Sequence, residues 1–267
     1  MQWWVSLRST HPTLKINQIM TMRCIVFDIS GEYAHFKKPY SPMSPVTYPF
    51  PPPTAIMGLL GAILGYSKEE YHERLGWQTL RVGIRLLKPT QIFRAAINLL
   101  QTKDGTDTFF RPKADKNSHT RVPYEFVKSP AYRIYVMQLP DNVASDLVAH
   151  LKTHRTVYTP VLGLASCLAD VEWVGEWEAQ PLAMQDWETY TVVPLFENIN
   201  INYQQANRRY HRFRVPAIMD NQRIVHCYQE VLVAEDMESI EGQGNDNLFF
   251  GVNNESIAFF PNLSASK

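Results

Sequence analysis

The sequence predicts an α+β fold: a ferredoxin-like βαββαβ unit carrying an inserted β-hairpin, followed by a small β-rich lobe. Three observations carry this. Between residues 22 and 180, period-two and helical patterns succeed one another as strand, helix, strand, strand, helix, strand. A polar stretch at 101–129, too long for an ordinary turn, falls between the second and third strands, where this order calls for a hairpin. From residue 181 onward the helical patterns stop and short strand patterns such as 223–233 replace them.

The first strand spans residues 23–30, with Ile25, Phe27 and Ile29 on one face, and Gly31 ends it. A proline-crowded loop follows over 37–53. Thr54 is placed to cap a helix over 55–64, with Gly65 as its stop. Ser67 and Glu70 have capping-box spacing and open a second helix that ends at Gly76. Leu80, Val82, Ile84 and Leu86 alternate along the next strand, and residues 91–100 read as extended. After the insert, 131–139 is a strand. Asp141 or Asn142 is placed to cap a helix that buries Val143, Leu147, Val148 and Leu151. Residues 167–177 form the last strand of the unit. RNA-recognition (RRM) modules share this order, so the unit is RRM-like as well.

At 267 residues with 45% hydrophobic content, the chain can bury a substantial core. Its formal net charge is zero, so any grip on nucleic acid is local or shared with partner chains. Cys24, Cys167 and Cys227 form neither a CxxC pair nor an even framework, which fits a reducing cytoplasm. Residues 1–21 lack the plan of a signal peptide and read as an extension, a tail or an over-called start, with the working domain opening near Met22. The apolar run 56–64 is about half of what a bilayer span needs, so no membrane partner is expected.

Three segments could carry chemistry. In the proline-rich loop, Lys37 and Lys38 supply cations, and His35, Tyr40 and Tyr48 supply flat faces for unpaired bases. The loop continues through Thr47 to the helix start at Thr54, whose free N–H groups suit a phosphate, and Gly58 and Gly61 would allow a close backbone approach. The plainer reading is a loop packed on its own core. In the insert, Phe109 and Phe110 stand beside Arg111 and Lys113, with Lys116, His119, Arg121 and Lys128 beyond. An apolar wedge with flanking cations can part stacked bases, or it can be an arm for another protein. The third segment, 207–214, holds Arg208, Arg209, Arg212 and Arg214 and suits RNA backbone and an acidic partner equally, against a merely solvated strand face.

The remaining motifs are weaker. His150 and His154 have i,i+4 spacing, but no third ligand follows, so no metal is expected. Residues 158–163 contain one glycine and are neither a P-loop nor a dinucleotide fingerprint, so no cofactor is expected. No GxSxG, HExxH or paired-carboxylate signature is present.

Residues 23–65 resemble the opening of the CRISPR-associated family-five RAMP proteins of Cascade. The residues that carry this are Phe36-Lys37-Lys38-Pro39, Thr47-Tyr48-Pro49 and the stretch Pro51-Pro52-Pro53-Thr54-Ala55-Ile56-Met57-Gly58-Leu59-Leu60-Gly61. Residues 131–135 and 159–163 add to the resemblance, which runs over about 22–262 and is closest to type I-B. It implies a ferredoxin-like palm with a β-hairpin thumb, and a subunit that caps the 5′ handle of the crRNA. The implied partners are that handle, the repeated backbone RAMP subunits and the large subunit that reads the PAM, with target DNA reached indirectly. Carried onto this chain, the 37–48 loop and the start of the Thr54 helix line the handle pocket, and residues 109–113 lie on the thumb.

In the type I-C branch of that family, a tyrosine, a lysine and a histidine cut precursor crRNA without metal. Tyr48, Lys116 and His119 are the corresponding candidates here, but Lys116-Asn117-Ser118-His119 breaks the adjacent Lys-His pattern. The expectation is therefore a non-catalytic subunit. The alternatives are a metal-independent processing endoribonuclease and a protein-only scaffold.

Overall fold

In the computed structural model, residues 22–41, 44–100, 119–182, 186–204, 208–244 and 247–262 are described. The chain opens with β1 (Met22–Ser30) and the short strands β2 (Tyr33–Ala34), β3 (Phe36–Lys37) and β4 (Thr47–Tyr48). Helices α1 (Pro53–Leu64) and α2 (Tyr71–Arg74) follow, then β5 (Arg81–Leu86), β6 (Ile92–Leu100), β7 (His119–Lys128) and β8 (Ala131–Met137). Helix α3 (Asp141–Lys152) leads into β9 (Asp170–Pro181). Eight more strands come after it: β10 (Asp186–Thr189), β11 (Val193–Pro194), β12 (Asn200–Ile201), β13 (Tyr210–Met219), β14 (Val225–Ala234), β15 (Ile240–Gln243), β16 (Phe249–Val252) and β17 (Glu255–Ala258). The protein is thus mixed α/β, mostly strand with few helices.

The main sheet runs β17-β16-β9-β1-β8-β5, and every pairing within it is antiparallel. Ile25, Phe27 and Ile29 of β1 share a core with Ile56, Leu60 and Ile63 of α1 and Val143 and Leu147 of α3. This is what the alternation of the first strand and the stripe of the α3 segment predict. The opposite face is buried too. Cys24 and Val26 pack with Tyr135, Met137, Phe250, Ile257 and Phe259. That face of the sheet is therefore filled by apolar side chains and does not offer a bare stacking platform to bases.

The β-rich C-terminal region is continuous with this sheet. β16 pairs with β9 at one edge, and Phe259, just past β17, bridges to Gly83 of β5 at the other. The Phe260 N–H donates to the Val82 carbonyl at 2.8 Å. The sheet thus curls until its two edges meet the same segment, which removes edges that would otherwise stay unpaired. Across β1 and β8, Arg133 holds Asp28 with two hydrogen bonds of 2.8 and 3.0 Å. That carboxylate raises the Arg133 pKa above its ordinary value.

Several local expectations are corrected. Thr54 does not cap α1: Pro52 is the N-cap residue, without a side-chain cap bond, and Pro53 enters the first turn. The stop at Gly65 holds, with φ at 77°. Asp141 lies inside the first turn of α3, behind Pro140 as N-cap, where its charge suits the helix dipole. The helix read over 67–76 shrinks to Tyr71–Arg74, because the Ser67 hydroxyl donates to the Glu70 carboxylate at 3.0 Å instead of capping a backbone N–H.

The insert is a hairpin that begins earlier than 101. β6 and β7 pair from Ile92 with Val127 out to Leu100 with His119, and β2 adds a third strand beside Lys128. Its return strand lies inside the stretch that showed no periodicity. The reason is physical: at the outer end His119 and Thr120, with their partners Leu100 and Leu99, are all exposed, so burial demands no alternation there. No helix among the described residues is long and apolar enough to cross a membrane.

Candidate nucleic-acid interface

The proline-rich loop is pinned at its base. Phe36 pairs with Tyr48 and Lys37 with Thr47 across β3 and β4. The Thr47 hydroxyl accepts from the Phe36 N–H at 2.9 Å and donates to the Tyr48 carbonyl at 2.8 Å. The Lys38 N–H donates to the Val46 carbonyl at 3.0 Å. Tyr48 is 1% exposed, and its hydroxyl donates to the Arg214 carbonyl of β13 at 2.6 Å. That bond ties the loop to the β13–β14 hairpin.

Where these two elements meet, cations and aromatic rings share one surface. The Lys38 ammonium stands 5.5 Å from the centre of the Tyr48 ring and 5.0 Å from that of Phe213. Lys37 is exposed, and Tyr40 is 70% exposed. On the hairpin, the Arg214 guanidinium lies 5.2 Å from the centre of the half-exposed Tyr228 ring. Burial pushes the Tyr48 phenol up to about 12, helped by the neighbouring phenols of Tyr40 and Tyr228 and opposed by Arg214. Tyr40, Tyr228 and Arg214 thus lie about the Tyr48 phenol, with Lys38 over its ring. A strand of unpaired nucleotides could lay phosphates on Lys38 and Arg214 and bases on Tyr40 and Tyr228.

This arrangement revises the residue list. The His35 ring is 2% exposed, packs 5.1 Å from Tyr124 and holds the Glu125 carbonyl at 2.7 Å through Nδ1. Thr47 and Tyr48 are likewise withdrawn. All three shape the loop from beneath and present no face to solvent. Arg208 is also reassigned: its guanidinium grips both carboxylate oxygens of Asp236, at 2.8 and 3.0 Å, and the Ser239 carbonyl at 2.6 Å. Arg209 stays exposed, 4.0 Å from Glu235, and Arg212 is paired with Glu230.

Thr54 and Gly58 are half-buried on α1. A side chain at Gly58 would meet nothing within 4 Å, so the helix backbone there is open to approach. Gly61 instead receives Tyr71 of α2, whose Cβ would lie 2.9 Å from an added side chain. Phe109, Phe110, Arg111, Lys113 and Lys116 lie outside the described residues, as do residues 1–21. His119 sits at the outer end of the β6–β7 hairpin opposite Leu100, on a different element from buried Tyr48. His150 holds the Arg155 carbonyl at 3.0 Å, and no cluster of metal-ligating side chains occurs among the described residues.

Sequence reasoning did not single out Arg214 or Tyr228 as individual site residues. Arg214 lies in the arginine run, but only the strand pairing separates it from Arg208. Tyr228 carries no local signal.

Two histidines make the fold acid-sensitive. Burial lowers the pKa of His35 and His72 below the ordinary 6.5, and Arg223 adds to the effect at His72. Below 6.5 the unfolded chain therefore binds more protons than the folded one, and stability falls as pH falls toward the folded values. His72 is fully buried, and neither ring nitrogen has a partner among the described residues. His72→Leu should keep or raise the melting temperature at about pH 7.5 and flatten its decline toward about pH 5.5, since a buried unpaired polar group costs about 1–3 kcal/mol. An unchanged decline in thermal melts would assign the acid sensitivity to other groups.

The sequence profile of the CRISPR-associated protein family Cas_Cas5 matches residues 24–228. Among curated proteins, none matches. Solved structures share the fold. A CRISPR protein from Archaeoglobus fulgidus superposes with a TM-score of 0.53 at 14% identity, over 88% of this chain and 98% of that one. A chain of a CRISPR RNA-guided surveillance complex gives 0.51 at 12% identity, over 82% and 91%.

Proposed function

The chain belongs to the CRISPR-associated protein family Cas_Cas5, and from that premise we infer that it is a crRNA-binding subunit of a type I, I-B-like Cascade complex that caps the 5′ handle of the guide. The observation that carries this reading is the surface where Lys38 and Tyr40 meet Arg214 and Tyr228 about the Tyr48 phenol. It supplies cations for phosphates and exposed rings for bases within a chain whose net charge is zero. The β9-β1-β8-β5 order, with α1 and α3 against one face, supports a ferredoxin-like palm, and the β6–β7 hairpin serves as its thumb. The partners are the repeated backbone subunits and the large PAM-reading subunit, with target DNA reached through them. Three unpaired cysteines suit work in the cytoplasm.

The subunit binds without cutting. Tyr48 supports this: a general base or nucleophile needs an accessible group that titrates near the working pH, and this phenol is buried, bonded to a backbone carbonyl and pushed up to about 12. Incubating the isolated chain, in EDTA, with repeat-containing precursor RNA tests the point. The precursor should remain whole, while the co-expressed complex retains mature guide. Cleavage at one defined position that His119→Ala abolishes would make the protein a processing endoribonuclease.

A further inference from the structure

The outer face of the β13–β14 hairpin carries a further pair of rings beyond Tyr228. Along β14, His226, Tyr228 and Glu230 are exposed, while Cys227 packs toward the core and Gln229 is buried, so His226 and Tyr228 share one face. A strand rises about 3.3 Å per residue, which sets the two rings on backbone positions roughly 6–7 Å apart. β13 and β14 shift register at Pro216/Ile218 and again at Ile218/Met219, and His226 falls outside the paired register. A bulge of this kind re-aims a side chain. Here it presents the His226 ring to Trp77, just past α2. The two stack with centres 5.4 Å apart and planes 28° from parallel.

Both rings are held in a fixed orientation. His226 holds one Asp220 carboxylate oxygen through Nε2 at 2.8 Å, and the other oxygen accepts the Gln222 and Ile224 N–H groups at 2.9 Å each. The Trp77 indole N–H donates to Glu73 at 3.1 Å. Yet the His226 side chain is 42% exposed, and Trp77 is only half-buried. A ring that is already fixed loses little freedom when a ligand stacks on it, so binding there carries a small ordering cost. Exposed Arg223, in the turn at the hairpin tip, brings a cation to this end. The nearby carboxylates, Asp220 and Glu73, are already engaged with the two rings. Rings and cations therefore alternate from Tyr40 and Lys38, through Tyr228 and Arg214, to His226 and Arg223.

We propose that the RNA site continues along the outer face of β14, and that the Trp77–His226 stack seats one more unpaired base, next in the strand to the base on Tyr228. The ligand is then single-stranded RNA with at least three splayed bases, on Tyr40, Tyr228 and His226 in turn. Every base has a face to stack, so the added position contributes affinity and register rather than sequence reading. The proposal rests on the reading of this surface as the guide-binding site.

The test is 2-aminopurine fluorescence in the complex reconstituted with synthetic guides that carry the probe at each 5′-handle position in turn. Stacking on an aromatic ring quenches this base. His226→Ala should raise the signal about twofold or more at one position, adjacent to the position that Tyr228→Ala raises, and leave the others unchanged. His226→Tyr, which restores a ring, should return that position to the wild-type signal. Neither His226 variant removes a phosphate contact, so the salt slope of guide binding should stay at the wild-type value. A response to Tyr228→Ala with none to His226→Ala at any position would overturn the added position and leave the rest of the site standing. A rise spread over all positions would also overturn it, since that is the mark of a distorted hairpin. No response to either variant would overturn the guide-binding reading of this surface, and the added position with it.

Discussion

Replacing Lys37, Lys38 and Arg214 together by alanine should strip guide RNA from the purified complex. Lys38 and Arg214 lie against the Tyr48 and Tyr228 rings where the proline-rich loop meets the β13–β14 hairpin, and Lys37 is an exposed cation of the same loop. A charge-assisted contact contributes about 1.5–3 kcal/mol, so losing three should weaken binding by roughly a thousandfold or more. Each phosphate contact on single-stranded RNA also contributes about 0.7 to the slope of log affinity against log salt, so the slope should flatten by about 2. Retention of RNA at wild-type level, with the same salt slope, would remove this surface from the binding site. Arg208→Ala is the useful contrast. Its guanidinium is committed to Asp236 and Ser239, so it should lower stability while leaving the salt slope unchanged.

Gly163→Ala should be among the most damaging single substitutions to the fold. Gly163 has φ at +94°, a conformation that L side chains rarely adopt, and a Cβ there would lie 2.0 Å from the His35 carbonyl oxygen. No rotamer relieves a clash between a Cβ and a backbone atom. The neighbouring bond from the His35 N–H to the Leu162 carbonyl, 3.0 Å long, holds the same two segments together. The expected loss is about 3 kcal/mol, a fall in melting temperature of roughly 6–12 °C. RNA retention should fall with it, because His35 leads directly into Phe36 and Lys37. A melting temperature within about 1 °C of wild type would show that the contact yields without strain.

The parts of this protein that were legible in its sequence are those where one face is buried and the other is not. The stripe of Val143, Leu147, Val148 and Leu151 on α3 is read by period alone, because burial selects it. The first strand was read in the right place, but the burial of Cys24 and Val26 beneath Phe250, Ile257 and Phe259 was not. Those partners lie more than 200 residues away along the chain. The inserted hairpin and its first strand were legible, but the outer part of its return strand was not, because exposed strand residues carry no alternation. In the site, residue type pointed to the proline-rich loop but could not rank its members. A buried His35 and an exposed Tyr40 look alike as letters. Which arginine is free depends on where the acids fall: Asp236 takes Arg208 and Glu230 takes Arg212, a matter of strand register. Tyr228 joins the site only through the pairing that sets it opposite Pro216, next to Arg214.

The most direct measurement is photo-crosslinking of the assembled complex with 4-thiouridine placed in the 5′ handle of the guide, followed by identification of the attached peptides. Cross-links on the peptides that contain Tyr40 and Tyr228 are the result expected if the loop and the β13–β14 hairpin form the handle site. Cross-links from the handle that fall on other subunits, and leave both tyrosine peptides unmodified, would contradict the account.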